Sequence, residues 1–209
     1  MLSLHVRVPL RRILDPLGEF LHRHGVSPDA VTLLGTAGVC TGALVWYPHG
    51  AFLAGTVFIT CFVFSDMIDG AVARARGGGG RWGAFLDSSL DRVADSAVFA
   101  GLALYYVRHA DMLMSSVVLF CLISGALISY IKARAEGLGM SCNVGFAERT
   151  ERLLIALIPT GLSGIFNEAW IREAGLWFLA AASALTVGQR LVEVRRQSRL
   201  VDTPAETAA

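Results

Sequence analysis

Charge is scarce in this 209-residue chain: Asp, Glu, Lys and Arg together make up 17% of it, against about 25% in an ordinary soluble domain. That shortage excludes a water-soluble globule. Lysine is reduced to Lys132 alone; the net charge of +1 says nothing by itself about nucleic acid, and what informs is where the charges lie, with no nucleic-acid partner expected. The four cysteines, Cys40, Cys61, Cys121 and Cys142, nowhere approach the spacing of a zinc or redox motif and read as small packing residues. The five histidines, His5, His22, His24, His49 and His109, all lie outside the long apolar runs, at expected surface positions. Arg7, Arg11 and Arg12 precede any long apolar run, and no small-residue cleavage site follows one, which argues against a cleaved signal peptide. No internal repeat is evident, and Gly77–Gly80 is the one low-complexity element.

What the chain has instead is apolar length. Hydrophobic residues make up 54% and the mean hydropathy is +0.56. Six apolar blocks run from Ala30 to Tyr47, Ala51 to Val72, Gly83 to Val107, Leu113 to Ile131, Leu153 to Phe166 and Trp170 to Val192. Most approach the roughly 20 residues that cross a hydrocarbon core. The fifth is short unless its charged approach, Glu148 to Arg152, belongs to the same helix. Breaks are expected at Tyr47-Pro48-His49-Gly50, at the glycine run, at Arg108 to Asp111, at Gly137-Leu138-Gly139 and near Asn167. The predicted fold is an all-α membrane protein of six transmembrane helices. Residues 1–26 read as a juxtamembrane amphipathic helix, 27–199 as the transmembrane domain and 200–209 as a disordered tail.

Charge placement orients this bundle. Fifteen of the 18 basic residues fall on the face that holds both termini, Arg108 and Arg172 fall on the other, and Arg92 lies within a block. The positive-inside rule makes the rich face cytoplasmic, in the cell membrane. Ahead of the first span, Leu4, Val8, Arg11, Arg12, Leu14, Leu17, Leu21 and Arg23 place apolar and basic positions at helical spacing, as in a helix lying on the cytoplasmic leaflet. Trp46, Trp82, Trp170 and Trp177 mostly sit near span ends, where an interfacial belt would put them.

The chemistry concentrates in Ser65-Asp66-Met67-Ile68-Asp69-Gly70-Ala71-Val72-Ala73-Arg74 and Gly83-Ala84-Phe85-Leu86-Asp87-Ser88-Ser89-Leu90-Asp91. Asp66 and Asp69 are three apart and Asp87 and Asp91 four apart, so each pair shares a helical face. The short loop between the helices makes them antiparallel neighbours whose four acids converge near the cytoplasmic side. Each intramembrane charge costs at least about 2.5 kcal/mol, so something positive must sit among them. Hard oxygen donors without histidine or thiolate favour magnesium or manganese (or calcium) over zinc, and four carboxylates are enough for two ions. Gly70 and Ala73 leave room for a bulky group against the helix, and Arg74 could meet a phosphate with a planar pair of donors.

The pattern Asp66-x2-Asp69-Gly70-x2-Ala73-Arg74-x8-Gly83-x3-Asp87-x3-Asp91 resembles, without a gap, the signature of the CDP-alcohol phosphotransferase family. The resemblance implies a phosphatidyltransferase in which Asp66, Asp69 and Asp87 bind metal, with Asp91 near the ions and acting as the base on the acceptor hydroxyl. It also implies that Gly70, Ala73 and Arg74, together with Asp66, hold the CDP-lipid, and that the enzyme is a homodimer. Ser27-Pro28-Asp29-Ala30-Val31-Thr32 is similar to the family's Pro-Asn-x-x-Thr element, which adds Pro28 and Thr32 to the CDP-lipid site. Asp29 stands where asparagine is commoner, and is explained locally as a first-turn acid following Pro28 at a helix start. Asp95, four residues after Asp91, lies outside the signature and reads as a helper or interhelical hydrogen-bonding group.

Ser129-Tyr130-Ile131-Lys132-Ala133-Arg134-Ala135-Glu136 and Glu148-Arg149-Thr150-Glu151-Arg152 resemble the actinobacterial branch that joins CDP-diacylglycerol to inositol phosphate, releasing CMP. That resemblance places Ser129, Lys132, Arg149, Arg152 and Arg190 around the acceptor phosphate. The branch that makes phosphatidylglycerol phosphate also takes a phosphorylated alcohol and is the alternative. From a different class, a divalent-cation transporter would also bind ions on intramembrane acids, but would spread them along a path rather than gather them near one face.

Overall fold

The computed structural model describes residues 15–202 except Gly79 and Ala147, with residues 65–67 and 200–202 described by backbone alone. The expected amphipathic segment through Leu14 and the tail beyond Asp202 therefore lie outside the described residues. Every regular element among the described residues is helical: α1 (residues 15–23), α2 (Pro28–Trp46), a 3-10 turn (Tyr47–His49), α3 (Phe52–Val63), α4 (Ser65–Ala75), α5 (Arg81–Arg108), α6 (Met112–Glu136), α7 (Arg149–Phe166) and α8 (Ala169–Asp202). They form two compact units, Met1–Gly101 and Leu102–Ala209.

The breaks fall where local chemistry puts them. Ser27 caps α2 by accepting from the Ala30 amide at 3.1 Å, with Pro28 and Asp29 in the first turn, and Asp111 caps α6 through the Met114 amide at 2.9 Å. Gly50 ends the 3-10 turn in the left-handed region at φ 75°, and Asn167 ends α7 the same way at φ 56°. The helix of the fifth apolar block starts at Arg149, so the charged approach does belong to it. The second block differs from expectation in being divided at Phe64, between α3 and α4. Thr60 bonds back to the Thr56 carbonyl at 2.7 Å just ahead of that break, a contact that bends helices.

Among the described residues, four helical segments are long and apolar enough to cross a membrane: Pro28–His49, Phe52–Ala75, Met112–Glu136 and Ala169–Arg199. The other two long helices carry more charge, α5 with Asp87, Asp91, Arg92 and Asp95 and α7 with Arg149, Glu151 and Arg152.

In the first unit α2 packs on α3 and α4 around Val39, Ala43, Tyr47, Ile59 and Val72. Glycine permits the close approach. A Cβ at Gly42 would lie 2.8 Å from Ile59 Cγ1, one at Gly38 would enter the Phe62 ring, and one at Gly101 would run into the Ala43 carbonyl oxygen. Small residues take this role in membrane bundles, where packing rather than water exclusion draws helices together. In the second unit α8 packs on α6 and α7, with Ile128, Leu157, Leu176 and Leu179 buried. There the ring of Pro159, inside α7, fits against Gly175, where an added Cβ would lie 2.7 Å from Pro159 Cγ.

Gly101→Val is expected to destabilise the first unit by about 1–3 kcal/mol, the usual cost of overpacking. Thermal unfolding in detergent should show a lower midpoint; an unchanged midpoint would mean α2 and α5 do not meet at Gly101.

Candidate active site

The helix starts and the glycine loop build one cavity in the first unit, about 380 Å³, between the N-terminal turn of α2, the body of α4 and the first turns of α5. Pro28, Asp29 and Thr32 line it from α2, Asp69, Gly70 and Ala73 from α4, and Gly83, Ala84 and Asp87 from α5, with Arg76, Gly78, Gly80 and Trp82 around the connecting loop.

Asp69 is the fixed point. It is 9% exposed, and its Oδ2 accepts from Thr32 Oγ1 at 2.7 Å. Thr32, 7% exposed, also lies 3.1 Å from the Pro28 carbonyl, so the first turn of α2 sets where its hydroxyl can point. A neutral donor to a carboxylate stabilises the charged form that burial disfavours. Gly70 and Gly83 keep the cavity open. The nearest atom to a Cβ built at Gly70 is Arg74 Nη1 at 3.4 Å, and nothing lies within 4 Å of one at Gly83.

The acids expected from the signature divide as follows. Asp69 and Asp87 face the same cavity from two helices. Asp91, one turn further along α5, has a side chain 13% exposed and an ion pair with Arg92 at 3.5 Å. Arg92 also donates to the Ser88 carbonyl at 2.7 Å. The Asp66 side chain lies outside the described residues. Among the described residues no three acidic, histidine or cysteine side chains stand close enough to hold one ion together. Asp95 is buried at 6% exposure within α5.

Of the cavity-enclosing residues expected, Pro28, Thr32, Gly70 and Ala73 all line the space. Arg74 does not: its Nη2 donates to Asp15 Oδ1 of α1 at 2.9 Å. Sequence reasoning missed Arg76 and Trp82, which do line it. The Trp82 indole donates to Asp29 Oδ2 at 3.1 Å, tying the start of α5 to the first turn of α2. That contact gives Asp29 a role beyond the helix terminus. The available signal was the position of Arg76 and Trp82 on either side of the glycine run, inside the signature's x8 spacing.

The basic residues expected at an acceptor lie in the second unit. Arg152 is 3% exposed and packs against Gly125, where a Cβ would come within 3.0 Å of its Nε. Arg190, 2% exposed, donates from Nε to the Val144 carbonyl at 3.0 Å, from Nη1 to the Ile128 carbonyl at 2.7 Å, and meets Glu148 Oε1 at 3.4 Å. It thus ties the loop before α7 to α6. Ser129 is half-buried and bonds back to the Gly125 carbonyl at 3.2 Å. Lys132 and Arg149 are also half-buried.

The family model described as CDP-alcohol phosphatidyltransferase matches residues 25–188, and the chain belongs to that family: it is a phosphatidyltransferase and a membrane protein. The chain is 50% identical to the phosphatidylinositol phosphate synthase of Streptomyces avermitilis, over 100% of this chain and 89% of the relative. It is 45% identical to that of Mycobacterium marinum, over 90% and 82%. Crystal structures of the Mycobacterium tuberculosis phosphatidylinositol phosphate synthase superpose closely. The complex with manganese and citrate does so at TM-score 0.83 and 42% identity, covering 94% of this chain and 93% of that one. The complex with CDP-DAG bound does so at 0.82 and 40%, covering 95% and 99%.

Thr32→Val keeps the shape of the side chain and deletes the donor to Asp69. A hydrogen bond to a charged group contributes about 1.5–3 kcal/mol, so CMP release from a CDP-linked lipid should fall about 10- to 100-fold. Activity at the parental level would show that this bond does not set the Asp69 carboxylate.

Proposed function

We propose that the chain transfers the phosphatidyl group of CDP-diacylglycerol to inositol phosphate with release of CMP, at the cytoplasmic face of the plasma membrane, in a homodimer with six spans per subunit preceded by an interfacial helix. The observation that carries the chemistry is the pair Asp69 and Asp87, which face one cavity from two helices of the family signature. The identity of the acceptor is supported by the relatives named phosphatidylinositol phosphate synthase.

The donor set suits a hard divalent cation, since the acids on this cavity are carboxylates and no histidine or cysteine lines it among the described residues. Asp66, Asp69 and Asp87, with Asp91 beside them, would hold magnesium or manganese, with two ions as the expected number. When bound, such ions neutralise the diphosphate and stabilise the leaving CMP. The manganese complex of the M. tuberculosis relative supports the choice of metal. Pro28, Thr32, Asp66, Gly70 and Ala73 would enclose and orient the CDP group, with Arg74 reaching it from beside the wall. Asp91 takes the proton of the acceptor hydroxyl as oxygen attacks phosphorus; a carboxylate of ordinary basicity can do this only within the transition state, where the proton is already leaving. The bond between phosphorus and the CMP oxygen then breaks, and CMP carries away the electron pair.

Ser129, Lys132, Arg149, Arg152 and Arg190 would form the acceptor-phosphate site. The half-buried Ser129, Lys132 and Arg149 supply the more accessible donors, while Arg190, engaged by the Val144 and Ile128 carbonyls and Glu148, fixes the loop that leads to Arg149. The glycerol phosphate alternative uses the same cationic chemistry. A panel of inositol, inositol phosphate and glycerol phosphate separates the readings: CMP release with CDP-diacylglycerol and a divalent cation should be strong with inositol phosphate alone. Equal or greater release with glycerol phosphate would move the chain to the other branch, and no release with any acceptor would remove the enzyme reading.

Two substitutions divide the labour. Asp91→Asn should abolish turnover, by at least about 100-fold as expected of a general base, yet still bind CDP-diacylglycerol; turnover at the parental rate would relieve Asp91 of the role. Gly125→Ala favours the helix by about 1 kcal/mol but pushes on Arg152, so the KM for inositol phosphate should rise while that for CDP-diacylglycerol stays level. Equal rises in both would detach Arg152 from the acceptor.

A further inference from the structure

The helix ahead of the first span does more than lie beside the enzyme. Asp15, Gly18 and His22 sit three and four residues apart and so share one face of α1, and each meets α4 or the residue that follows it. Asp15 Oδ1 accepts from Arg74 Nη2 at 2.9 Å. Gly18 is seated so closely on Ala71 that a Cβ there would lie 2.6 Å from the Ala71 carbonyl carbon, and Ala71 is 1% exposed. His22 Nδ1 accepts from Arg76 Nε at 3.4 Å. Two of these contacts are polar and engage arginines, and the third is a close backbone approach, so the face is fitted to α4 along two turns.

The two arginines flank the nucleotide cavity. Arg76 lines it, and Arg74 holds its other terminal nitrogen, Nη1, 3.4 Å from where a Gly70 side chain would begin, on a residue that also lines it. Arg74 thus has one edge pinned on α1 and the other beside the cavity wall. A guanidinium of this length loses considerable rotamer freedom when it binds phosphate, and a carboxylate that already fixes its plane lowers that cost.

We infer that Asp15 is a positioning residue for the transferase reaction, fixing Arg74 beside the nucleotide cavity so that it can meet the diphosphate of the CDP-lipid. The inference rests on the reading of Arg74 as a CDP-binding residue. The opposite arrangement, in which Asp15 competes with the diphosphate for Arg74, predicts the opposite sign of effect.

The test uses the full chain, purified in detergent, with initial rates measured against CDP-diacylglycerol and against the phosphorylated acceptor. Both Asp15 and Arg74 are about half exposed, so the expected effect of Asp15→Ala is modest: a rise of about three- to fivefold in KM for CDP-diacylglycerol, in the range of an exposed pair. The acceptor KM and the thermal midpoint should not move, and Asp15→Glu should restore most of the loss. Gly18→Ala, which lifts α1 from Ala71 without touching any charge, should raise the same KM. In an Arg74→Ala background Asp15→Ala should add nothing.

A lowered KM in Asp15→Ala would establish competition instead of positioning. A full additional loss on top of Arg74→Ala would show that Asp15 does not act through Arg74. An Arg74→Ala enzyme with the parental KM for CDP-diacylglycerol would fail the underlying reading of Arg74, and the inference with it; if Arg74→Ala raises that KM and Asp15→Ala leaves it unchanged, the positioning role alone fails.

Discussion

A buried carboxylate in a chain this apolar sets the terms for the rest of the first unit. Asp69 is almost fully enclosed, and charge at that depth is costly unless fixed donors and a cation attend it. Its position is accordingly determined from two directions. α4 carries it to the cavity wall, and the capped first turn of α2 delivers the Thr32 hydroxyl to its Oδ2. Capping by Ser27, the fixed φ of Pro28 and the placement of Thr32 one turn later are local backbone facts whose product is the orientation of one acid.

The same requirement explains the distribution of charge along the helices. α5 gives its first half to Asp87, Asp91, Arg92 and Asp95 and its second to apolar residues such as Val98, Phe99 and Leu102. These charged residues keep α5 out of the set of helices apolar enough to cross a membrane. α7 repeats the compromise with Arg149, Glu151 and Arg152 ahead of an apolar stretch. Glycine resolves the packing side of the problem, letting α2 approach its neighbours at Gly38, Gly42 and Gly101 and making room for Arg152 at Gly125.

Much of this was legible in the residues. Helix boundaries followed from Ser27-Pro28, from Asp111, from Gly50 and from Asn167, because caps and left-handed residues are local signals. The convergence of Asp69 and Asp87 followed from helical spacing and a short connection. The division at Phe64 was not legible, since it falls inside a continuous apolar run with no glycine or proline at the break. Nor was the Asp15 contact with Arg74, or the Trp82 contact with Asp29, because 59 and 53 residues separate the partners and no periodicity links them. Arg190 read as one more cation, whereas its placement among the Val144 and Ile128 carbonyls shows a residue that also builds the loop before α7.

The central claim is that acids from α4 and α5 act on one shared space, and the most direct measurement is divalent-ion binding by the purified protein. Titration of manganese, followed by the loss of free-ion electron paramagnetic resonance signal in the presence of CDP, should show saturable binding. That binding should weaken by at least about tenfold in Asp69→Asn and, separately, in Asp87→Asn. Parental affinity in either variant would place that acid outside the ion site and contradict the account.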